Sequence, residues 1–312
     1  MSDYKYLIIG GNGFIGINII KFLLNTKKKV YCIDAFDSNT KNIVDKNFES
    51  YIDDLTDEVL LSKLIKKSDI IIFLASISNV RSSSNESLIE LDNIKSFINF
   101  LEILKNFPNK KIVYASSGGT VYGEQTELSK ETTCTNPISP YAIGKVAMEN
   151  FLKHYSSKYN FKYLICRYSN PYGIFQNPLG GVGVISKILY DYYVGNRTDI
   201  IKNTNDSIRD YIYISDLVDA TIKLSESELT NNQIFNVGSG VGTSLFEILN
   251  EIKILLGDNL KLNEISFGNE NVSKSTIDIT KLKDFGWNPK ISLKEGIRLN
   301  NKWILSFLEE KK

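Results

Sequence analysis

Histidine is nearly absent: the 312 residues contain one, His154. It falls on an expected helix and reads as structural or surface, so neither a serine–histidine relay nor an imidazole-rich metal centre is expected, and acid–base work falls to Tyr, Lys, Asp or Glu. Cysteine is almost as scarce. Cys32, Cys134 and Cys166 are widely scattered, two of them inside apolar strand-like runs. They read as core thiols of a reducing cytoplasm, not as a disulfide frame, and no metal is expected. Net charge is also lacking, at +1 from 37 Lys and Arg against 36 Asp and Glu. With no global field, neither nucleic acid nor a membrane surface is an expected partner. No apolar run reaches the roughly 18 residues of a membrane span. No leader-like stretch is read before the first strand, and the expected location is cytoplasmic. Internal repeats and low-complexity segments are absent, and the basic run Lys27-Lys28-Lys29 reads as solvated surface. The length suits one or two closely joined domains with a sizeable core.

What is present is organised around Tyr6-Leu7-Ile8-Ile9-Gly10-Gly11-Asn12-Gly13-Phe14-Ile15-Gly16. An apolar run of strand length flows into a Gly-x-x-Gly-x-x-Gly turn and then an apolar helix. Glycine closes such a turn and lets backbone approach a ligand. The helix N-terminus, with unpaired amides and a positive dipole end, favours a pyrophosphate. Gly10, Gly13, Phe14, Ile15 and Gly16 are therefore the candidate cradle for a dinucleotide. The spacing alone is weak, since glycine turns also form for steric reasons. Asp34 strengthens it: it ends the next strand, 18 residues beyond Gly16, where a carboxylate would hold a ribose diol. Residues 35–40 contain no Lys or Arg to meet a 2′-phosphate, so the cofactor is expected to be NAD and not NADP.

Along the chain, strands and helices alternate. Strands are expected at 48–52, 70–74, 111–115 and 161–167, with helices at 57–66, 86–105 and 141–158. This alternation predicts an α/β fold: a Rossmann-type, doubly wound parallel sheet over residues 1–169. Asp54 and Leu55 follow one strand; Asp54 could cap the next helix or bond an adenine edge. Leu74, Ala75 and Ser76 end another, where small residues suit a bound cofactor. Turn-rich sequence after Ser169 marks a smaller α/β substrate-binding domain, 170–312, with about 211–238 rejoining the main sheet.

Tyr141 and Lys145 lie one helical turn apart after Pro140, and of the 17 tyrosines only Tyr141 has a lysine four residues on. An ammonium beside a phenol favours phenolate and would lower the tyrosine pKa, making a general base for alcohol oxidation. A surface pair is the plain alternative. Ser116 and Ser117, at a strand end 24–25 residues earlier, are candidate hydroxyl partners.

With these motifs in order, the chain resembles the extended short-chain dehydrogenase/reductase family, in the nucleotide-sugar branch that includes UDP-glucose 4-epimerases. The resemblance runs nearly end to end. It covers the glycine turn, Asp34, Asp54-Leu55, Ala75-Ser76, Asn93, Ser116-Ser117 before Thr120-Val121-Tyr122-Gly123, and Pro140-Tyr141-x-x-x-Lys145. It continues through Arg167 to Gly173, Arg209 to Tyr213, Asn236 to Gly240, and Gly286-Trp287-x-Pro289. The family implies Tyr141 as base, Lys145 as cofactor anchor, Asn93 beside the cofactor, and Asn170 and Arg209 on the substrate diphosphate. Arg209 alternatively pairs with Asp210 or Asp206. The family also implies a homodimer through helices 86–105 and 141–158. Their Leu91, Ile94, Phe97, Ile98, Phe151 and Leu152 could equally be buried within one chain.

Three departures bear on the reaction. Gly118-Gly119 stands where dehydratases of the branch carry an acid, arguing against elimination. The shuttling hydroxyl must come from Ser117 or Ser116, one or two positions earlier than in most epimerases. Residues 267–272 lack the usual second diphosphate arginine. Ser275 stands where a bulky tyrosine excludes N-acetyl groups, so an N-acetylhexosamine is expected to fit. The leading expectation is an NAD-dependent nucleotide-sugar 4-epimerase, acting on a UDP-hexose or UDP-N-acetylhexosamine. The alternative is a 4-keto-6-deoxy-sugar reductase. An inactive scaffold would have lost Tyr141 or Lys145, and both are present.

Overall fold

Apolar runs of four to seven residues, each followed by an amphipathic helix, build most of the chain. The computed structural model describes residues 3–202, 207–265 and 273–310. The first elements are β1 (Lys5–Ile9), α1 (Phe14–Asn25), β2 (Lys29–Asp34), β3 (Phe48–Ile52), α2 (Glu58–Lys67), β4 (Ile70–Phe73), α3 (Val80–Asn85) and α4 (Ile89–Leu104). Then come β5 (Lys111–Ser117), α5 (Pro140–Tyr159), β6 (Lys162–Tyr168), β7 (Asn170–Tyr172), α6 (Val184–Val194), β8 (Thr198–Ile201) and β9 (Ile208–Tyr213). The last are α7 (Ile214–Ser225), β10 (Gln233–Val237), β11 (Gly242–Ser244), α8 (Leu245–Leu256), β12 (Leu262–Ile265), β13 (Lys274–Ser275), α9 (Thr280–Asp284) and α10 (Leu293–Glu309). Two compact units result: residues up to 117 with 140–167 and 218–235, and residues 118–139, 168–217 and 236 onward. The stretch 118–139, expected with the first unit, belongs to the second, and the returning segment is 218–235.

In the first unit a seven-stranded sheet has the order β10-β6-β5-β4-β1-β2-β3. The pairs β3–β2, β2–β1, β1–β4 and β4–β5 run parallel. Strands buried on both faces need uninterrupted apolar runs, as in β1 and β4. Strand order reverses between β1 and β4, and at such a switch point a crevice opens beyond the carboxyl ends. Ile9 is in register with Ile33 and Phe73, and Phe73 with Tyr114. One edge therefore presents Gly10, Asp34, Leu74 and the end of β5 together. The aromatic core under that edge is tight: Phe97 of α4 stands edge-on to Phe73 at 4.8 Å and lies 5.0 Å from Tyr114. Each such fully buried ring is worth about 1.5–3 kcal/mol.

Several expectations are corrected. The helix expected over 86–105 is α4, starting at Ile89, and a short helix the sequence did not suggest precedes it: Asn79 starts α3 with a capping box on Ser82, and Glu86 (φ −142°) ends it. Asp57, not Asp54, caps α2, accepting from the Leu60 amide, while Asp54 accepts the Thr56 hydroxyl at 2.6 Å. Lys28 is not solvated but buried, 3.0 Å from Glu226, which also accepts the Tyr6 hydroxyl at 2.7 Å. Cys32 and Cys166 are buried, yet Cys134 is exposed. Of the apolar residues on α4 and α5, Phe97 and Leu152 are core, whereas Leu91 and Phe151 face outward with Leu88 and Ile143.

The second unit centres on β9, which pairs in parallel with β7 and β13 and antiparallel with β11; β8 and β12 form a separate parallel pair. The buried Asp210 carboxylate accepts the Ser239 amide and hydroxyl and the Gly240 amide. Asn236 donates to the Ser129 and Asp278 carbonyls and accepts from Tyr122 Oη. These loops are thus held by side chains whose partners are distant in sequence.

Candidate active site

The glycine turn is shaped by contact. Gly10 has φ +83°, and a Cβ there would lie 2.6 Å from the Ala75 amide nitrogen. A Cβ on Gly16 would lie 2.5 Å from the Gly10 carbonyl. Backbone fills the space on the protein side, so glycine is required at both positions. Gly13 is the N-cap of α1; no side chain caps the helix and no acid stands in its first turn. The amides of Phe14, Ile15 and Gly16 are thus left for an anionic ligand. Asp34, at the end of β2, accepts the Asn12 amide at 2.8 Å and the Phe36 amide at 3.3 Å. Asn12, unremarked in the sequence, is the organiser of this corner. Its side chain donates to the Phe36 carbonyl and accepts from Thr40 and Ser38, shaping the loop after Asp34. No cation within that loop meets the ribose side before the exposed Lys41. Leu55 is buried with a left-handed φ of 69°, a local strain suited to a functional corner. Leu74 and Ala75 border the Gly10 turn, the Leu74 amide bonding the Ile9 carbonyl. These residues fit a dinucleotide: a glycine cradle, a free helix end, and a carboxylate with no phosphate-binding base beside it.

Beyond β4, Ser76 is exposed, and its hydroxyl donates to the Ser78 carbonyl. Asn93 spends its amide on the same loop: it accepts the Ile77 amide at 3.0 Å and donates to Ser78 Oγ at 2.8 Å and Glu90 Oε2 at 3.2 Å. It acts by holding the loop that follows Ala75.

Tyr141 and Lys145 lie on one face of α5, the lysine Nζ 5.4 Å from the Tyr141 ring centre and equally 5.4 Å from Tyr114. Lys145 is buried, and Nζ donates to the Ala115 carbonyl at 3.1 Å, which ties the helix to β5. The expected lowering of the tyrosine by its lysine is not what this arrangement produces. Burial, then the Glu90 carboxylate, push the Tyr141 phenol up, and burial brings Lys145 down to about 8. Desolvation leads at both groups, and the lysine, 5.4 Å from the phenol ring, does not offset it at Tyr141. Glu90 was not anticipated from the sequence, where it reads as one more acid on an amphipathic helix.

The two serines part company. Ser116 is buried and donates to Glu149 Oε1 at 2.6 Å. Glu149 in turn receives Arg167 Nε at 3.0 Å and Nη2 at 2.7 Å, both side chains nearly inaccessible. Ser116 is thus committed to an internal network, while Ser117 is half-buried at the end of β5.

In the second unit, Asn170, Arg209 and Ser275 come together around β9. Asn170 Nδ2 donates to the Asp210 carbonyl at 2.9 Å and lies against Gly119. Arg209 Nη1 donates to the Ser273 carbonyl at 2.6 Å and to the Ile208 carbonyl at 2.9 Å. Ser275 is in register with Arg209, and its hydroxyl donates to the Gly119 carbonyl at 3.0 Å. Burial lowers Arg209, while Tyr211 and Glu124 support its charge. Glu124 also accepts the Ser273 and Lys274 amides, so it anchors the start of β13. Of the alternative partners for Arg209, Asp210 gives its carboxylate to Ser239 and Gly240, and Asp206 lies outside the described residues, as do 267–272. Among the described residues, no cluster of His, Cys, Asp and Glu could hold a metal, and no helix is long and apolar enough to cross a membrane.

The family model for the NAD dependent epimerase/dehydratase family matches residues 6–238. The chain belongs to this family, and its cofactor is NAD. It is 35% identical to a putative UDP-glucose 4-epimerase of Methanocaldococcus jannaschii, over 96% of this chain and 97% of that one. It is also 31% identical to a dTDP-4-dehydro-6-deoxyglucose reductase of Escherichia coli, over 93% and 94%. The structure of Thermotoga maritima UDP-glucose 4-epimerase with UDP-glucose is similar, with a TM-score of 0.90 at 30% identity, covering 97% of this chain and 99% of that one. The Thermus thermophilus UDP-glucose 4-epimerase complex with NAD matches with a TM-score of 0.88 at 29% identity, covering 96% and 99%.

Proposed function

We propose that the protein is a nucleotide-sugar 4-epimerase acting on a UDP-hexose or UDP-N-acetylhexosamine. The observation that carries this reading is the Tyr141–Lys145 pair locked to β5 through Ala115, followed by Gly118-Gly119 where an elimination enzyme needs an acid. When bound, NAD supplies a reversible hydride acceptor for sugar carbon 4 and a positive ring charge that favours phenolate at Tyr141. Tyr141 Oη takes the 4-hydroxyl proton as that carbon is oxidised and returns a proton after the keto-sugar has turned over. Ser117 holds the same hydroxyl, and Lys145 carries the positive charge beside the phenol and the nicotinamide ribose. Asn170 and Arg209 bind the diphosphate; a planar guanidinium fork matches phosphate oxygens. Firm nucleotide binding and loose sugar binding let the keto-sugar swing between its two faces. Ser275, small and bonded to Gly119, leaves room for an N-acetyl group. The working form in this reading is a cytoplasmic homodimer joined through the outward Leu88, Leu91, Ile143 and Phe151 of α4, its approach and α5.

Purified protein incubated with UDP-glucose or UDP-N-acetylglucosamine, no cofactor added, should yield the 4-epimer of each by chromatography. Turnover of UDP-glucose alone would refute the N-acetylhexosamine assignment. The likeness to the reductase supports a second reading, NADH-dependent reduction of a 4-keto-6-deoxy sugar nucleotide. No epimer from either sugar, with NADH oxidised by such a ketone, would establish that reading instead.

A further inference from the structure

Between Tyr141 and Lys145 stands Gly144, and the reason for a glycine there is a carboxylate. A Cβ on Gly144 would lie 2.6 Å from Glu90 Oε2. Glu90 enters from the first turn of α4, is 5% exposed, and has no Lys or Arg in ion-pair contact among the described residues. Its oxygens accept Ser78 Oγ at 2.5 Å and Asn93 Nδ2 at 3.2 Å. A buried carboxylate with only neutral donors is costly and wants a cation nearby.

The charged and titratable groups around the pair can be enumerated. From α5 come Tyr141, Lys145 and Glu149; from β5, Tyr114; from β6, Arg167; from α4, Glu90. Packed α3 contributes Arg81, which is exposed. Glu149 is matched by Arg167 at 2.7 Å. Tyr114 is kept neutral by burial and the neighbouring negative groups, and its hydroxyl has no partner. Glu90 is therefore the one buried negative charge here without a cation of its own.

We propose that Glu90 is a further positioning residue of the catalytic pair: its carboxylate, seated in the space Gly144 leaves, keeps the buried Lys145 ammonium protonated beside Tyr141. Through Ser78 and Asn93 the same carboxylate ties that charge to the loop after β4. The inference rests on reading Tyr141 and Lys145 as the catalytic pair, but its test does not need a substrate.

Lysine labelled with 13C at Cε would be followed by NMR against pH in the whole protein, the Lys145 signal identified by its loss in Lys145→Met. In the wild type this signal should titrate near 8. Glu90→Gln, which keeps size and hydrogen bonding, should lower the midpoint by about one pH unit. Glu90→Asp keeps the charge and should hold the midpoint within about half a unit of wild type. Gly144→Ala, which drives the carboxylate away, should act like Glu90→Gln. An unchanged midpoint in Glu90→Gln, or an equal fall in Glu90→Asp, overturns the proposal. In turnover assays with the active sugar nucleotide, the alkaline limb of kcat should move down with the midpoint in Glu90→Gln. Absence of epimerase activity would refute the proposed reaction while leaving the titration interpretable.

Discussion

Arg167→Met tests how the floor of the site is held. The substitution removes two hydrogen bonds to Glu149, at 3.0 and 2.7 Å, and leaves a carboxylate that is 1% exposed. Removing one partner of a buried pair costs about 3–5 kcal/mol, because the other charge stays desolvated. Two contacts soften this: Ser116 keeps donating at 2.6 Å, and Lys153, 3.8 Å away and 36% exposed, can swing closer. The lower end, about 3 kcal/mol, is expected. Urea unfolding should show it as a lower midpoint at unchanged slope. If the first unit melts as a block, Tm should fall by roughly 6–12 °C. Glu149→Gln with Arg167→Met removes both charges and should regain most of the loss, leaving the double variant about 2 kcal/mol more stable than Arg167→Met. Unmasking Glu149 should also raise the Lys145 midpoint above about 8, since Glu149 already supports that ammonium. A loss under about 1 kcal/mol in Arg167→Met, or a double variant no more stable than the single, would refute the reasoning.

Three further outcomes are expected. Ser117→Ala should cut kcat by roughly 10²-fold with stability unchanged, whereas Ser116→Ala should cost about 1–2 kcal/mol in urea unfolding and spare more activity. Gly10→Ala forces alanine into a left-handed backbone, costing about 1–2 kcal/mol before the clash with Ala75 is counted, and should abolish NAD retention after gel filtration. The third concerns pH. Burial brings Lys111 down to about 8 from an ordinary 10.5, although its ammonium donates to the Leu224 and Ser227 carbonyls and to Thr230. Between those values the unfolded chain binds more protons, so stability should rise with pH from about 8, and Lys145 adds the same sign. Above pH 10 the buried Tyr6, pushed up by burial and Glu226, reverses the trend. Urea midpoints at constant ionic strength should show the rise, and Lys111→Met should flatten it.

The sheet, the glycine turn with Asp34, and the Tyr141–Lys145 spacing were legible in the chain, because each rests on local pattern. Apolar runs buried on both faces, a glycine forced by φ +83°, and a turn of helix all leave marks within a few neighbouring residues. The rest depended on which distant residues meet. Serine-rich 82–84 concealed α3, whose start is set by Asn79. Lys28 looked solvated, yet Glu226, nearly two hundred residues later in sequence, buries it. Ser116 and Ser117 are indistinguishable as letters; alternation along β5 turns the first inward to Glu149 and leaves the second at the strand's end. The sequence also suggested that a lysine one turn away would lower Tyr141, and only packing decided otherwise. Desolvation is a property of the filled interior, and the Glu90 carboxylate, reaching from another helix to the gap at Gly144, adds to it at Tyr141 and opposes it at Lys145. Local chemistry is written in adjacent residues, but electrostatics depends on burial and distance, which exist only once the chain has folded.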